Sequence, residues 1–257
     1  MAMLFALDGA RARATVLLAI VVASAALSAA CRSTFARKYE YEEDVYLALD
    51  GSATVYVNAA VPALVALRGA NLPLDPAARL DRNDVRAFFE SPVTRVGSVT
   101  LSRREGRRYV HLRIEVDDIR RLGEAPPFAW SEYRFAEREG LLVYEQRLGD
   151  AAGRDVGSVG WDGSELVAVR LHLPSRVPFH NSPTGVERGN IIAWEQPLGE
   201  RLAGRPLAIE VHMETDSILA RTLVLFGSMI VLALGTVALL IWLVGRRGRA
   251  DEARQPV

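Results

Sequence analysis

The stretch DVYLALDGSATVYVN, residues 44–58, decides the class of fold. Apolar and polar residues alternate on either side of Asp50-Gly51. Val45, Leu47 and Leu49 share one face of the first run, and Ala53, Val55 and Val57 share one face of the second. A period of two is the pattern of a strand with one buried side. Asp-Gly tolerates positive φ at both turn positions, so the two runs read as a β-hairpin. A hairpin with one apolar face needs other elements to cover that face.

The same pattern recurs downstream. VPALVALRGANLPLDP (61–76) reads as a short apolar helix ended at Gly69, followed by a proline-bearing loop. LDRNDVRAFFESP (80–92) reads as a second helix, with Asp81 as N-cap and Pro92 as its stop. SVTLSRREGRRYVHLRIEV (98–116) is a hairpin around Glu105-Gly106, and DDIRRLGEA (117–125) a short helix capped by Asp117 or Asp118. WSEYRFAEREGLLVYEQRL (130–148) is a third hairpin turning at Glu139-Gly140. ELVAVRLHL (165–173), NIIAWEQ (190–196) and PLAIEVHM (206–213) supply the last strands. The expectation is an α+β fold: a mostly antiparallel curved sheet of about nine strands, with two or three short helices on one face.

The two ends carry a different message. Arg11 and Arg13 precede an uncharged run, Ala14 to Leu27, and the small residues Ser28, Ala29 and Ala30. Basic flank, short apolar core and small residues are the parts of a secretory signal, here 1–30. As a helix the run reaches only ~21 Å, short of a ~30 Å hydrocarbon core. An uncleaved anchor is the alternative. Cys31, the chain's only cysteine, then stands at the first mature position and is the candidate for lipidation; cutting by an ordinary signal peptidase also suits Ser28-Ala29-Ala30. A single thiol leaves the chain without an internal disulfide. At the other end, residues 222–244 are uncharged and span about 34 Å as a helix, enough to cross a bilayer. Arg246, Arg247 and Arg249 follow and mark the cytoplasmic side, with Trp242 suited to the interfacial belt. The reading is therefore a signal at 1–30, an extracytoplasmic domain at 31–217, a transmembrane helix at 222–244 and a short basic cytoplasmic tail at 245–257.

Composition excludes some functions. Residues 31–221 hold 25 basic and 28 acidic side chains, a net of −3, which gives no electrostatic footprint for nucleic acid. There is no GxGxxG, P-loop, G-x-S-x-G elbow or HExxH. No cofactor, metal site or enzymatic activity is expected. The two DGS stretches, at Asp50 and Asp162, read as turns because they lack further alternate acidic ligands. His111, His172 and His212 fall on the polar faces of strands. His180 differs, standing in a loop with Asn181, Ser182 and Glu187, where it reads as part of a turn or of a rim touching a ligand. Trp130, Trp161 and Trp194 join Phe128, Tyr133, Phe135 and Tyr144 in the second half. Aromatics in strands are core residues in the plain reading; the alternative is a lipid-sized apolar cavity lined by them.

Four features together resemble the LppM-like family of bacterial envelope proteins: the signal ending at Cys31, the early LDGSATVYV strand, the late ERGNIIAWEQPL strand and the single carboxy-terminal span with its arginine-rich end. The resemblance implies an extracytoplasmic α+β domain related to helix-grip lipid-binding folds, and binding of envelope glycolipids. It brings no catalytic residues. Two functions follow as expectations: a membrane-anchored lipid- or glycolipid-binding accessory protein, or a non-enzymatic assembly module for a membrane protein partner. Intact mass spectrometry of the detergent-extracted chain tests the amino terminus. The expected mass lacks residues 1–30 and carries added lipid on Cys31; a chain that retains Met1 refutes the signal reading.

Overall fold

The computed structural model describes residues 37–104, 106–187 and 189–252. The stretch read as a signal, 1–30, together with Cys31 and the end of the tail, lies outside the described residues. The chain divides into an amino-terminal unit, Met1–Lys38, and a body, Tyr39–Val257; of the first, only residues 37 and 38 are described.

The opening hairpin consists of β1 (Lys38–Leu47) and β2 (Ala53–Ala60), paired antiparallel from Tyr41↔Ala59 to Leu47↔Ala53. Its turn is wider than the Asp-Gly pair implies. The Gly51 N–H bonds the Ala48 carbonyl at 3.2 Å and the Ala48 N–H bonds the Ser52 carbonyl at 2.8 Å. Gly51 alone is left-handed, with φ +89°. This is a three-residue loop ending in a left-handed glycine. The Asp50 carboxylate accepts from the Ser52 N–H and hydroxyl, at 2.9 and 2.7 Å. The two-residue turn with positive φ at both positions occurs instead at Glu139 and Gly140.

Helix α1 (Val61–Arg68) follows β2 directly and is buried along its whole length. That is the expected fate of a helix with no polar stripe. Gly69, left-handed, ends it, its N–H bonding the Val65 carbonyl. Helix α2 (Arg82–Phe89) starts at Asp81, whose side chain accepts from the Asn83 N–H at 2.8 Å. The hairpin β3 (Thr94–Arg104) and β4 (Arg107–Val116) comes next. Residues 119–124 form a 3-10 helix capped by Asp118 rather than an α-helix, followed by a second short one at 126–128. The third hairpin is β5 (Ser131–Arg138) and β6 (Leu141–Leu148). The remaining elements are β7 (Glu165–His172), β8 (Phe179–His180), β9 (Ile191–Pro197), α3 (Leu198–Leu202), β10 (Leu207–Glu214) and α4 (Ile218–Glu252).

The strands do not form one sheet of nine. They form a six-stranded sheet, in the order β3-β4-β2-β1-β7-β9, and a four-stranded sheet, β5-β6-β10-β8. The hairpins are local and legible. Which hairpin joins which is decided by contacts far apart in the chain: β10 takes β6 as its partner, while β7 lies against β1. Along that last pair, Arg170 meets Glu42 at 2.7 Å and His172 meets Asp44 at 3.3 Å. Contacts that advance in the same sense on both strands belong to a parallel pair. The inner faces of the two sheets and α1 share one apolar core, including Val45, Val55, Leu64, Ile114, Tyr144 and Val211.

Helix α4 leaves this body from the end of β10. Its stretch Arg221–Trp242 is apolar, long enough to cross a membrane, and unburied within the protein. The connection is tied down: the Glu214 N–H bonds the Arg176 carbonyl at 2.9 Å, the Ser175 hydroxyl bonds the Asp216 carbonyl at 2.5 Å, and the Ile218 N–H bonds the Pro174 carbonyl at 3.0 Å.

Leu64 sits in α1 with no exposed surface. Leu64→Ala removes its contacts from every side and is expected to cost about 2–5 kcal/mol. Urea unfolding followed by circular dichroism measures this. A loss below about 1 kcal/mol would contradict the enclosure of α1.

Candidate binding site around Trp130

A polar network crosses the core between the two sheets. Arg68 is the last residue of α1 and Glu43 points inward from β1; both side chains are fully buried, 2.7 Å apart. Tyr41 donates to the same Glu43 oxygen at 2.9 Å and accepts from Arg68. Gln146, on β6 of the other sheet, reaches Glu43 at 3.5 Å and Ser131 at 3.4 Å, and accepts from the Tyr144 hydroxyl at 2.9 Å. Burial pushes the Tyr41 phenol well above its ordinary pKa, Arg68 opposing and Glu43 assisting. Burial, with the Glu43 charge, does the same to Tyr144. These hydroxyls are held as neutral donors.

Trp130 forms the outer wall of this network. The Arg68 guanidinium carbon lies 3.5 Å from the indole centroid and that of Arg201 lies 5.3 Å from it. Arg201, in α3, is wholly buried. Its guanidinium donates to two backbone carbonyls, of Arg205 and Gly149. Burial, then repulsion from Arg68, holds its pKa below the ordinary arginine value, with Asp150 acting the other way. Among the described residues, the Nε atoms of Arg68 and Arg201, Nη1 of Arg68 and the indole N–H of Trp130 are buried without a hydrogen-bond partner. Arg68 is answered by the buried Glu43 and Arg201 by the exposed Asp150 acting at range, and several donors remain unused among the described residues. Such groups call for an acceptor from outside the protein, either water or a ligand.

A cleft of about 660 Å³ opens against Trp130. Leu148, Pro206 and Leu207 give it apolar walls, while Ser131, Glu132, Arg147 and Asp150 supply polar ones, two carboxylates and one guanidinium among them. Its size and mixed lining are those of a small-molecule site. A second cleft, of about 620 Å³, lies beside the start of α1, with Val61, Pro62, Leu74 and Val159 against Arg107 and Arg108.

The residues singled out from sequence do not meet in one cavity. Trp130 lines the first cleft. Trp161 is partly buried and donates to Glu40 at 3.1 Å, an acid that also binds Arg107. Trp194 is a core residue whose indole donates to Asn181 at 2.9 Å. His180 lies on β8, opposite Val211, with a buried Nδ1 that has no partner. The neighbouring Ser182 hydroxyl donates to the Ala193 carbonyl at 2.6 Å and forms no pair with His180 among the hydrogen bonds of the described residues. His111, His172 and His212 are half-buried and bonded to Asn58, Asp44 and Glu210. Sequence reading missed Glu43, Arg68 and Arg201. A signal for Glu43 existed: carrying the inward register of Val45 back two residues places a carboxylate on the apolar face. Arg68 and Arg201 end short helices, where a basic residue ordinarily serves the dipole at the surface, so nothing local distinguishes them.

Breaking a buried pair by removing one partner is expected to be severe, about 3–5 kcal/mol, because the other charge stays behind. Arg68→Met and Glu43→Leu should each lose that much in urea unfolding, and the double variant should recover most of it. Additive losses in the double variant would show that the pair does not act as a unit.

No protein-family model and no curated protein matches this chain. Among solved structures, the folded domain of LppM from Mycobacterium tuberculosis, determined by NMR, is similar at 12% identity, over 71% of this chain and 94% of that domain, with a TM-score of 0.38.

Proposed function

We propose that this protein is a membrane-anchored accessory protein of the bacterial envelope, its body outside the cytoplasm, which binds a lipid or glycolipid without transforming it. The observation that carries this reading is the Trp130 cleft: apolar walls of Leu148, Pro206 and Leu207 beside Arg147, Glu132 and Asp150, with the buried guanidiniums of Arg68 and Arg201 against the indole. An amphiphile with a polar head matches this mixed lining. The apolar helix α4 supports the setting, since it has no protein surface to bury against, and the arginines at 246, 247 and 249 favour a cytoplasmic carboxy terminus.

A second reading rests on a different surface. The outer face of the six-stranded sheet exposes Tyr46 and Tyr56, edge to face at 5.4 Å, with His172 stacked on Tyr46 at 3.9 Å. Exposed aromatics are typical anchors of protein interfaces, so this face suits an assembly module with a membrane protein partner.

Native mass spectrometry of the full chain in mild detergent separates the two. Lipid binding predicts a co-purifying lipid adduct that is lost in Trp130→Ala and kept in Tyr46→Ala/Tyr56→Ala. The assembly reading predicts a bound protein lost in the tyrosine variant alone. A wild-type chain that carries no lipid, and takes up none when envelope lipid extract is added, would refute the first.

A further inference from the structure

The polarity of the strands fixes where the cleft stands relative to the membrane. In the four-stranded sheet, Leu207 pairs with Leu148, which pairs with Ser131; at the other end Glu214 pairs with Leu141, which pairs with Arg138. The Trp130 cleft is built at the first of these ends, from residues 129–132, 147–150 and 206–208. Helix α4 begins four residues beyond Glu214, at the second. Seven residue steps at ~3.4 Å place the two about 24 Å apart along β10.

The second cleft stands at the same far end. Its Arg107 approaches Glu165, the first residue of β7, at 3.8 Å. The segment just past the other end of β7, 174–176, is hydrogen-bonded to the start of α4. Those bonds leave the span little freedom to swing the body over.

Between the body and the span lies a band of ion pairs: Arg176–Glu214 at 3.7 Å, Arg221–Glu214 at 2.6 Å and Arg221–Asp216 at 3.1 Å. An acyl chain climbing from the anchoring leaflet would have to cross these charges and then the length of β10.

We infer that the ligand site faces away from the membrane that holds the protein, and that its amphiphile is presented by a second lipid surface opposite rather than drawn from the anchoring leaflet. This rests on the lipid-binding reading above and adds the direction of supply.

The test uses the full chain carrying Trp242→Phe, so that the indole of the span is silent, in nanodiscs of phosphatidylcholine. The probe is phosphatidylglycerol with brominated acyl chains, which quenches indole on contact. In one arm it is added in separate vesicles; in the other it is part of the protein's own nanodisc. Trp242 of the unsubstituted chain serves as control that added lipid has not merged into the disc. The expected result is a loss of emission with added vesicles that disappears when Trp130→Phe is introduced as well. Trp130-dependent quenching only from the protein's own disc would overturn the inference while leaving lipid binding intact. Absence of quenching in both arms would overturn lipid binding and this inference together.

Discussion

A guanidinium taken out of water must find acceptors inside the protein, and for Arg68 the charged one is Glu43. Stripping water from each ion costs several kcal/mol, which only close geometry and further hydrogen bonds offset. Here the geometry is supplied by three elements at once. β1 presents Glu43 two residues from Tyr41, α1 ends on Arg68, and the loop before β5 lays Trp130 against the guanidinium face. Gln146 then links the carboxylate to the second sheet. The pair is therefore a weak source of net stability. A slip of β1 by one residue would send Tyr41, Val45 and Leu47 to the outer face together with Glu43 and bring Glu42 or Asp44 inside, so the apolar face rather than the charge pair fixes the register.

The same constraint makes the neighbourhood chemically unusual. The acid satisfies one arginine, yet a second, Arg201, sits across the same indole with only carbonyls to bond. Most of the core is closed by aliphatic side chains; this network reaches the margin where α1, α3 and the ends of β5, β6 and β10 meet, and a second buried acidic group, Glu40 and Glu165, meets Arg107 beside the other cleft. Two guanidiniums against one indole, beside an open cleft that also holds Arg147, Glu132 and Asp150, are a physical reason for a polar group to settle there. A filled aliphatic core elsewhere is a reason why the clefts lie at the surface of the body.

Much of the local structure was legible from sequence, because it is written in short-range chemistry. The alternation around Asp50-Gly51, the cap at Asp81, the stop at Gly69 and the positive-φ pair Glu139-Gly140 depend on residues that touch their own neighbours. The division into two sheets was not legible, since each hairpin has two edges and nothing within it says which edge is taken. β8 spans two residues and α3 five, too few for a period to emerge. Of the aromatic residues, only Trp130 reached a cleft beside the charged network; Trp194 belongs to the core, as aromatics in strands commonly do. The arginines behind Trp130 were hidden by their position at helix ends, where solvent exposure is the ordinary condition.

Helix α4, apolar and long enough to cross a membrane, leaves the body at one end, which gives the body two unlike poles. The turn at Glu139-Gly140 and the 174–176 segment fall at the pole of α4, because each adjoins the end of β10 through backbone pairing. That pole is dressed in paired charges. Exposed ion pairs contribute little to folding, typically under ~1 kcal/mol each, and they occur elsewhere on the body too, as at Arg121–Glu124 and Arg205–Glu200. Charge that is balanced locally does suit a surface resting on lipid headgroups, which are themselves dipolar: it neither inserts into the hydrocarbon nor is strongly repelled. The opposite pole carries apolar walls and a mixed set of charges around the Trp130 indole, which suits contact with a molecule rather than rest on a surface. The two poles are separated by the length of β10, and under the proposed function it is this separation, more than any single side chain, that sets anchoring apart from binding.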